Sequence, residues 1–190
     1  MKIHIMGASC AGSTTLGAAL AQQLNYPLFD SDKYFWETSE QPFTVRRDPE
    51  LRNAMMMHDV NSNSNWILTG SMVSWGPVWL DMFDLVVFLY IPHHIRMQRL
   101  HNRELERYGE AIFTDPERAA NYQAFIKWAK GYDDNTTQGR TLQVHENWLK
   151  QVSSPVLEIR GDTTVPQRVD LVLEKMKELY NIAHPPAGRK

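Results

Sequence analysis

One stretch of this sequence restricts the fold more than any other: residues 85–91 read LVVFLYI, without a polar interruption. A run of β-branched, aliphatic and aromatic residues of this length is typical of a strand that is buried on both faces. Such strands occur in parallel sheets that carry helices on each side. Pro92 follows directly and ends the predicted strand, because proline has no backbone N–H to donate. The segment therefore predicts the centre of an α/β protein.

Short strand-like and longer helix-like segments alternate along the chain. This alternation predicts a three-layer α/β fold, in which helices cover both faces of a mostly parallel sheet. Ligands of such folds bind beyond the carboxyl ends of the strands, so the residues that follow each strand are the functional candidates. The predicted strands are residues 3–6, 27–30, 66–69, 85–91 and 156–160, and the predicted helices are residues 14–24, 50–61, 93–108, 116–130, 141–152 and 165–182.

The charge balance and the cysteine count narrow the functional classes. The chain has 20 Lys and Arg residues against 22 Asp and Glu residues, without the positive excess of a dedicated nucleic-acid-binding protein. Cys10 is the only cysteine, which excludes an internal disulfide and suits a reducing compartment. No apolar run approaches the ~20 residues that span a bilayer. We therefore expect a single domain over residues 1–190 in the cytoplasm, without a nucleic-acid or membrane partner and of undetermined oligomeric state.

A loop of small residues connects the first predicted strand to the first predicted helix. It reads GASCAGSTT and fits the phosphate-binding pattern GxxxxGK[ST], except that Ser13 stands where the pattern has lysine. Small residues let the backbone wrap a phosphate, and successive amides at the helix N-terminus bind its charge. Thr14 supplies the hydroxyl expected to ligate Mg²⁺. The predicted nucleotide-binding residues are Gly7, Ala8, Ser9, Cys10, Ala11, Gly12, Ser13, Thr14 and Thr15.

The missing lysine is the main departure from this pattern. In related sites that lysine brings a positive charge to the β- and γ-phosphates. Either another cation replaces it in this chain, or phosphoryl transfer is weak. An ordinary turn followed by a serine or threonine helix cap is the alternative interpretation of the loop.

With this loop, the sequence resembles the adenylate kinase-like group of small P-loop kinases, which includes nucleoside monophosphate and shikimate kinases. It looks closest to a bacterial subgroup with threonine or serine in place of the lysine. The resemblance follows the order of elements over nearly the whole chain. It implies a P-loop NTPase fold with a five-stranded parallel sheet, an acceptor-binding region over residues 30–62, and a helical, arginine-bearing lid over residues 93–135. It also implies ATP and Mg²⁺ as cofactors.

Candidate acceptor-binding residues follow the second and third predicted strands. Asp30 and Asp32 frame the sequence DSD, which is similar to a substrate-binding motif of shikimate kinases; one carboxylate can act as general base or orient Mg²⁺ through water. In nucleoside monophosphate kinases an arginine near the position of Arg46 or Arg47 clamps the acceptor phosphate. Helix capping by the aspartates and solvated surface arginines are the alternatives. The predicted substrate-binding residues are Asp30, Asp32, Arg46, Arg47, Gly70 and Ser71.

Four arginines follow Pro92 at spacings of three and four residues: Arg96, Arg99, Arg103 and Arg107. At about 100° per residue they lie within an arc of roughly 80° on one helix face. Four cations on one face repel one another unless an anion is near, so we expect this face to meet phosphate. The resemblance points the same way, since this region of the related kinases closes over ATP. We assign catalytic roles to Arg96, Arg99, Arg103 and Asp32, and expect the arginine cluster to replace the missing lysine.

The residues after the last predicted strand complete the proposed nucleotide site. In related kinases, backbone atoms there contact the adenine base, and Gly161 suits that role. The sequence therefore predicts a Mg²⁺-dependent phosphotransferase that resembles adenylate kinase and transfers the γ-phosphate of ATP to a nucleoside monophosphate or a small metabolite. A shikimate kinase-like enzyme is one alternative. A nucleotide-binding protein with weak or lost catalysis is the other, and Ser13 motivates it.

Overall fold

Five strands form one parallel sheet in the computed structural model, which describes residues 1–40 and 42–184. The strands are β1 (Lys2–Gly7), β2 (Leu28–Asp30), β3 (Trp66–Thr69), β4 (Leu85–Tyr90) and β5 (Val156–Arg160). Their order across the sheet is β2-β3-β1-β4-β5, and all neighbouring pairs are parallel. The predicted α/β class with a five-stranded parallel sheet is confirmed.

α-Helices follow β1, β2, β4 and β5 and cover the sheet, whereas β3 is followed only by a short 3-10 helix at Pro77–Trp79. The α-helices are α1 (Ser13–Leu24), α2 (Ser31–Phe35), α3 (Pro49–Asn61), α4 (His93–Tyr108), α5 (Ala111–Thr114), α6 (Pro116–Lys130), α7 (Leu142–Leu149) and α8 (Val165–Ala183). The two shortest, α2 and α5, were not predicted, because four or five residues carry no readable hydrophobic period. None of the helices in the described segments is long and apolar enough to cross a membrane.

The apolar run at residues 85–91 forms the core of the sheet as predicted. Leu85 to Leu89 of β4 are completely buried, because β1 and β5 pair with its two edges and side chains pack on both faces. The strand itself ends at Tyr90, and Ile91 is buried just beyond it. The continuous apolar sequence thus reflects contact with two separate cores.

Two hydrophobic clusters lie on opposite faces of the sheet. Ile3 and Ile5 of β1 pack with residues of α1 and α8 on one face. Met6 packs on the other face with a cluster rich in aromatic residues, among them Trp66 and Trp79. Neighbouring residues of a strand point to opposite faces, so β1 contributes to both clusters. The loop after β1 therefore starts from a strand that is fixed on every side.

His4 is a buried polar residue in the middle of β1. Its Nδ1 lies 3.2 Å from the carbonyl oxygen of Leu68, so this nitrogen carries the proton and donates it. The ring stacks on Phe83 at 4.7 Å between centroids. Burial lowers the pKa of His4 to about 4, although the hydrogen bond to Leu68 opposes the shift. The imidazole is therefore neutral in the folded chain at pH 7.

The neutral state of His4 predicts a loss of stability in acid. Its folded-state pKa of about 4 lies below the ordinary value of 6.5, so the unfolded chain takes up the proton first as the pH falls. We expect this group to remove about 2 kcal/mol of unfolding free energy between pH 7 and pH 5. Urea denaturation of His4→Phe should show a loss that is smaller by about this amount. The exposed His58 provides the control, since His58→Gln should keep the pH dependence of the parent chain; an unchanged dependence in His4→Phe would contradict the prediction.

Candidate active site

The predicted phosphate loop leaves β1 at the centre of the sheet and turns back into α1. Gly7 has no room for a side chain, because a Cβ there would lie 2.5 Å from the carbonyl oxygen of Leu89 in β4. Cys10 and Gly12 have φ values of 64° and 94°, which place both in the left-handed region. The amide of Ala11 donates to the carbonyl oxygen of Ala8 at 3.0 Å and closes the turn. The loop is thus a compact backbone cradle.

The N-terminus of α1 is left open for a ligand. Its N-cap residue is Gly12, and no side chain of the described residues caps it, so the alternative of an ordinary serine or threonine cap does not describe this loop. Thr14 and Thr15 in the first turn are exposed. Uncapped amides at a helix N-terminus bind anions through their partial positive charge. The geometry therefore suits a phosphate group.

The arginine-bearing face of α4 lies near this loop. Burial raises the pKa of the Cys10 thiol, and the positive charges of Arg103, Arg107 and Arg96 oppose that shift, whereas Glu104 reinforces it. These effects require that the side chains of α4 lie within electrostatic range of the loop. The fold thus brings together the two features that the sequence placed about 90 residues apart.

Arg96 is the most buried of the predicted catalytic arginines, with 1% of its surface exposed. Its Nη2 donates to the carboxylate of Asp133, and its guanidinium lies over the ring of Tyr132, 5.0 Å from the centroid. His93 also contacts the Asp133 carboxylate, through Nδ1 at 3.0 Å. Arg96 is therefore held in a buried ion pair beside the loop.

The other predicted catalytic arginines also have carboxylate partners. Arg99 pairs with Asp162 at 2.5 Å, and Arg103 pairs with Glu104 at 3.2 Å. Both side chains are about one-third exposed. Each would have to leave or share its partner to bind a phosphate, so Arg99 and Arg103, like Arg96, are already compensated in charge.

Asp30 lies beside the threonine that is expected to hold the metal ion. Its carboxylate accepts a hydrogen bond from the amide of Asp32 at 3.0 Å and caps α2. Burial raises the pKa of Asp30, while that amide and the hydroxyl of Thr14 oppose the shift. Oxygen ligands of this type are those that Mg²⁺ prefers. Thr14 and Asp30 are therefore the residues whose oxygen atoms suit a Mg²⁺ ion beside the loop.

Asp32 differs from Asp30 in having a free carboxylate. It is half-buried in the first turn of α2, and its side chain makes no hydrogen bond to other described residues. The carboxyl end of β2 adjoins that of β3, because the two strands are paired. Asp32 is thus placed where a substrate can reach it.

The structure separates the roles of Arg46 and Arg47. Arg47 pairs with Glu37 at 3.2 Å and donates to the carbonyl oxygen of Tyr34 at 3.0 Å, so it fixes the segment between α2 and α3. Arg46 is exposed, and its guanidinium lies 5.9 Å from the ring centroid of Phe35. Arg46 is therefore the better placed of the two to bind an acceptor.

Sequence reasoning missed Arg52, which is 5% exposed in α3. Its guanidinium lies between two rings, 4.7 Å from Phe35 and 4.5 Å from Trp75, and its Nη2 donates to the carbonyl oxygen of Ser74 at 2.6 Å. Burial lowers the pKa of Arg52, and the nearby charge of Arg46 adds to this effect. A signal was present in the sequence: Arg52 precedes the buried Met56 by four residues and shares its helix face.

Ser71 belongs to a buried chain of hydrogen-bonding groups. Its Oγ lies 3.0 Å from Nε2 of His145, and Nδ1 of His145 lies 2.8 Å from the hydroxyl of Tyr132. Burial lowers the pKa of His145 to about 3, with a further contribution from Arg140. The chain links the end of β3 to α7 and to the end of α6. Sequence reasoning named Ser71 but missed His145, whose partners are distant in sequence.

Glycines shape the remaining edges of the site. Gly70, at a φ of 99°, precedes Ser71, and a Cβ there would collide with the Ser31 hydroxyl. Gly161 has a φ of 103° and donates its amide to Tyr90 at 2.9 Å. Gly161 is the first residue of the turn between β5 and α8, which is the region predicted to contact adenine.

A small cavity lies against the first half of the phosphate loop. Its walls are the residues Gly7, Ala8, Ser9, Arg96, Trp128, Ala129, Tyr132, Arg140 and His145. Three of these side chains are cationic or aromatic groups from the region predicted to form a lid. The cavity therefore lies between the first half of the loop and residues of this region.

Comparison with known proteins finds relatives among bacterial sequences. The chain is 40% identical over 173 residues to "Uncharacterized protein YqaC" of Bacillus subtilis (strain 168), covering 91% of this chain and 96% of that protein. It is 29% identical over 119 residues to shikimate kinase of Bacteroides thetaiotaomicron, covering 56% of this chain and 67% of that protein. No family model matches the chain.

Solved structures share the fold over nearly the whole chain. A crystal structure of shikimate kinase from Bacteroides thetaiotaomicron superimposes with a TM-score of 0.55 at 20% identity, covering 93% of this chain and 98% of the other. Deoxyadenosine kinase from M. mycoides with bound dATP gives a TM-score of 0.54 at 14% identity, covering 93% and 100%. The chain therefore has the fold of small P-loop kinases, as predicted. The narrower assignment to an adenylate kinase-like subgroup stays a prediction.

The buried pair of Arg96 and Asp133 generates a stability prediction. Asp133→Asn leaves the guanidinium of Arg96 buried without its counter-charge, so we expect the free energy of unfolding to fall by about 3 kcal/mol. Asp134 is the matched control, because it is the adjacent carboxylate and is exposed; Asp134→Asn should cost much less. Urea denaturation at pH 7 measures both variants, and equal losses in the two would contradict the prediction.

Proposed function

The chain belongs to the family of the Bacillus subtilis protein YqaC, and we propose that it is an ATP-dependent phosphotransferase that acts on a small, anionic acceptor. One observation carries the proposal: an open phosphate loop lies beside a threonine hydroxyl and a carboxylate that suit Mg²⁺. The likeness to small P-loop kinases supports it through the fold alone.

In this proposal the loop holds the phosphates of ATP. The amides of the left-handed turn at Cys10 and Gly12 and of the first turn of α1 surround the β-phosphate. Thr14 and Asp30 hold Mg²⁺, which shields the charge of the phosphates. Gly161 provides backbone contacts to the base at the other end of the nucleotide.

The acceptor site combines negative and positive groups. The free carboxylate of Asp32 suits a hydroxyl group, and the positive charges of Arg52 and Arg46 suit a carboxylate or phosphate on the same molecule. Gly70 and Ser71 border this space at the end of β3. The acceptor is therefore a small molecule that carries both a hydroxyl group and an anionic group.

A small hydroxylated metabolite fits this site better than a nucleoside monophosphate. Trp75 is the aromatic residue that follows β3 and the natural candidate to stack on a base, but Arg52 already covers its ring. The partial sequence similarity to shikimate kinase agrees with a hydroxylated acceptor. A nucleoside monophosphate, as an adenylate kinase-like enzyme would use, is the second acceptor to test.

Phosphoryl transfer then needs few protein groups. The acceptor oxygen forms a bond to the γ-phosphorus, the bond from that phosphorus to the bridging oxygen of ADP breaks, and Asp32 takes the proton of the acceptor hydroxyl. Arg96, Arg99 and Arg103 stabilise the negative charge of the transferred group once they share their carboxylate partners. Breaking those ion pairs raises the cost of the step, so we expect slow turnover.

A second candidate function is nucleotide binding with weak or lost catalysis. Two observations favour it: Ser13 stands in place of lysine, and the predicted catalytic arginines are paired with carboxylates. Ser13→Lys distinguishes the two functions. A rise in turnover with unchanged acceptor preference would identify a weakened kinase.

The phosphotransferase proposal predicts formation of ADP with a suitable acceptor. Purified protein is incubated with Mg²⁺, ATP and a panel of hydroxylated carboxylic acids, sugar acids and nucleoside monophosphates, and ADP is measured by a coupled assay. With the best acceptor, Asp32→Asn should lower kcat about 100-fold or more while ATP binding is retained. Exposed Asp81 provides the control, since Asp81→Asn should be fully active. Binding of ATP without turnover on any acceptor would exclude the phosphotransferase and leave the second candidate.

The single cysteine gives an independent test of nucleotide binding. Because burial raises the pKa of Cys10, its reaction with a thiol reagent should be slow at pH 7 and faster at pH 9. Bound Mg²⁺ and ATP should cover the loop and slow the reaction further at both pH values. Mg²⁺ alone is the control. An unchanged rate with saturating ATP would contradict binding at this loop.

A further inference from the structure

Arg168 lies in the first turns of α8, yet its guanidinium is buried against the phosphate loop. The residue is 3% exposed. Its Nη1 donates to the carbonyl oxygen of Ala11 at 2.9 Å, and its Nε donates to Oγ1 of Thr163 at 2.9 Å. A Cβ at Gly12 would lie 2.9 Å from the same Nη1. The glycine at position 12 therefore makes room for this side chain as well as for the turn.

The charge of Arg168 is not matched by a carboxylate. None of the ion pairs within the described segments includes it, and its buried Nη2 has no hydrogen-bond partner there. The negative charge of Asp162 also acts on Arg168, but Asp162 pairs with Arg99. Burial lowers the pKa of Arg168, and the charge of Arg99 adds to the effect. A buried guanidinium without a counter-ion is costly, so the site favours an anion.

The same loop lacks the cation that its sequence pattern requires. Ser13 has no charge, and three of the four predicted substitutes, Arg96, Arg99 and Arg103, have a carboxylate partner. The fourth, Arg107, is exposed. Arg168 is buried and contacts the loop, and it has no carboxylate partner among the described residues. It contacts the loop through the carbonyl group of Ala11, and so occupies none of the loop amides.

We propose that Arg168 supplies the positive charge that lysine supplies in other phosphate loops, and so stabilises the phosphates of a nucleotide bound between residues 7 and 15. The inference rests on the proposed function, since it concerns the same nucleotide. Arg168 reaches the loop from α8, whereas a lysine at position 13 would belong to the loop itself. Its contribution is therefore to binding of the phosphates, and its loss should weaken nucleotide affinity before any chemical step.

A double-mutant cycle tests this exchange of cations. The dissociation constant of Mg²⁺–ATP is measured by calorimetry for the parent chain, Arg168→Met, Ser13→Lys and the double variant. We expect Arg168→Met to weaken binding about tenfold or more. Ser13→Lys should restore most of this loss in the double variant and improve binding much less in the parent chain. Lys177→Met, which removes an exposed cation from the same helix, should bind like the parent.

The cycle separates a charge from a purely structural contact. If Arg168→Met binds Mg²⁺–ATP like the parent chain, or if Ser13→Lys restores nothing, the inference is wrong. Should Arg168→Met fail to fold, Arg168→Lys keeps the charge without the planar donor group, and we expect its affinity to stay within about threefold of the parent. A larger loss in Arg168→Lys would also overturn the inference. Absence of binding by the parent chain would instead reject the proposed function itself.

Discussion

The close approach of the last residue of β1 to β4 is the constraint on which the site depends. At Gly7 the chain passes so near the Leu89 carbonyl that no side chain fits. Because β1 lies between β3 and β4 in the sheet, this contact starts the loop at the centre of the molecule. The carboxyl ends of β3 and β2 follow on one side, and those of β4 and β5 on the other. The candidate site residues described above follow the carboxyl ends of these strands.

Buried arginines give the site its electrostatic character. Arg96 is compensated by Asp133, Arg52 is enclosed by two aromatic rings, and Arg168 contacts a backbone carbonyl. A formal net charge of −2 gives no indication of this concentration of positive charge. The fold brings these cationic side chains together near the ends of the strands, where we expect an anionic ligand to bind. Selectivity for phosphate-containing ligands can therefore arise in a protein that is nearly neutral overall.

Much of the fold was predictable because local sequence patterns indicate its strands and helices. The apolar run of β4 and the small residues after β1 each identified an element. The arginine spacing of α4, together with the family resemblance, predicted that this helix lies near the loop. The contacts that decide the chemistry were not predictable. The partners Asp133 and His145 lie far in sequence from Arg96 and Ser71, and the sequence analysis did not single out Arg168. Such pairings depend on tertiary packing, which short-range periodicity does not encode.

The contact between Arg168 and Ala11 joins positions 157 residues apart. A contact of such sequence separation is slow to form, since a long loop of chain must close before its two partners meet. The loop after β1 is synthesised well before α8 but reaches its final environment only when α8 docks. A growing chain therefore lacks this contact until α8 has emerged and folded. Completion of the candidate site is thus coupled in time to the docking of the last described helix.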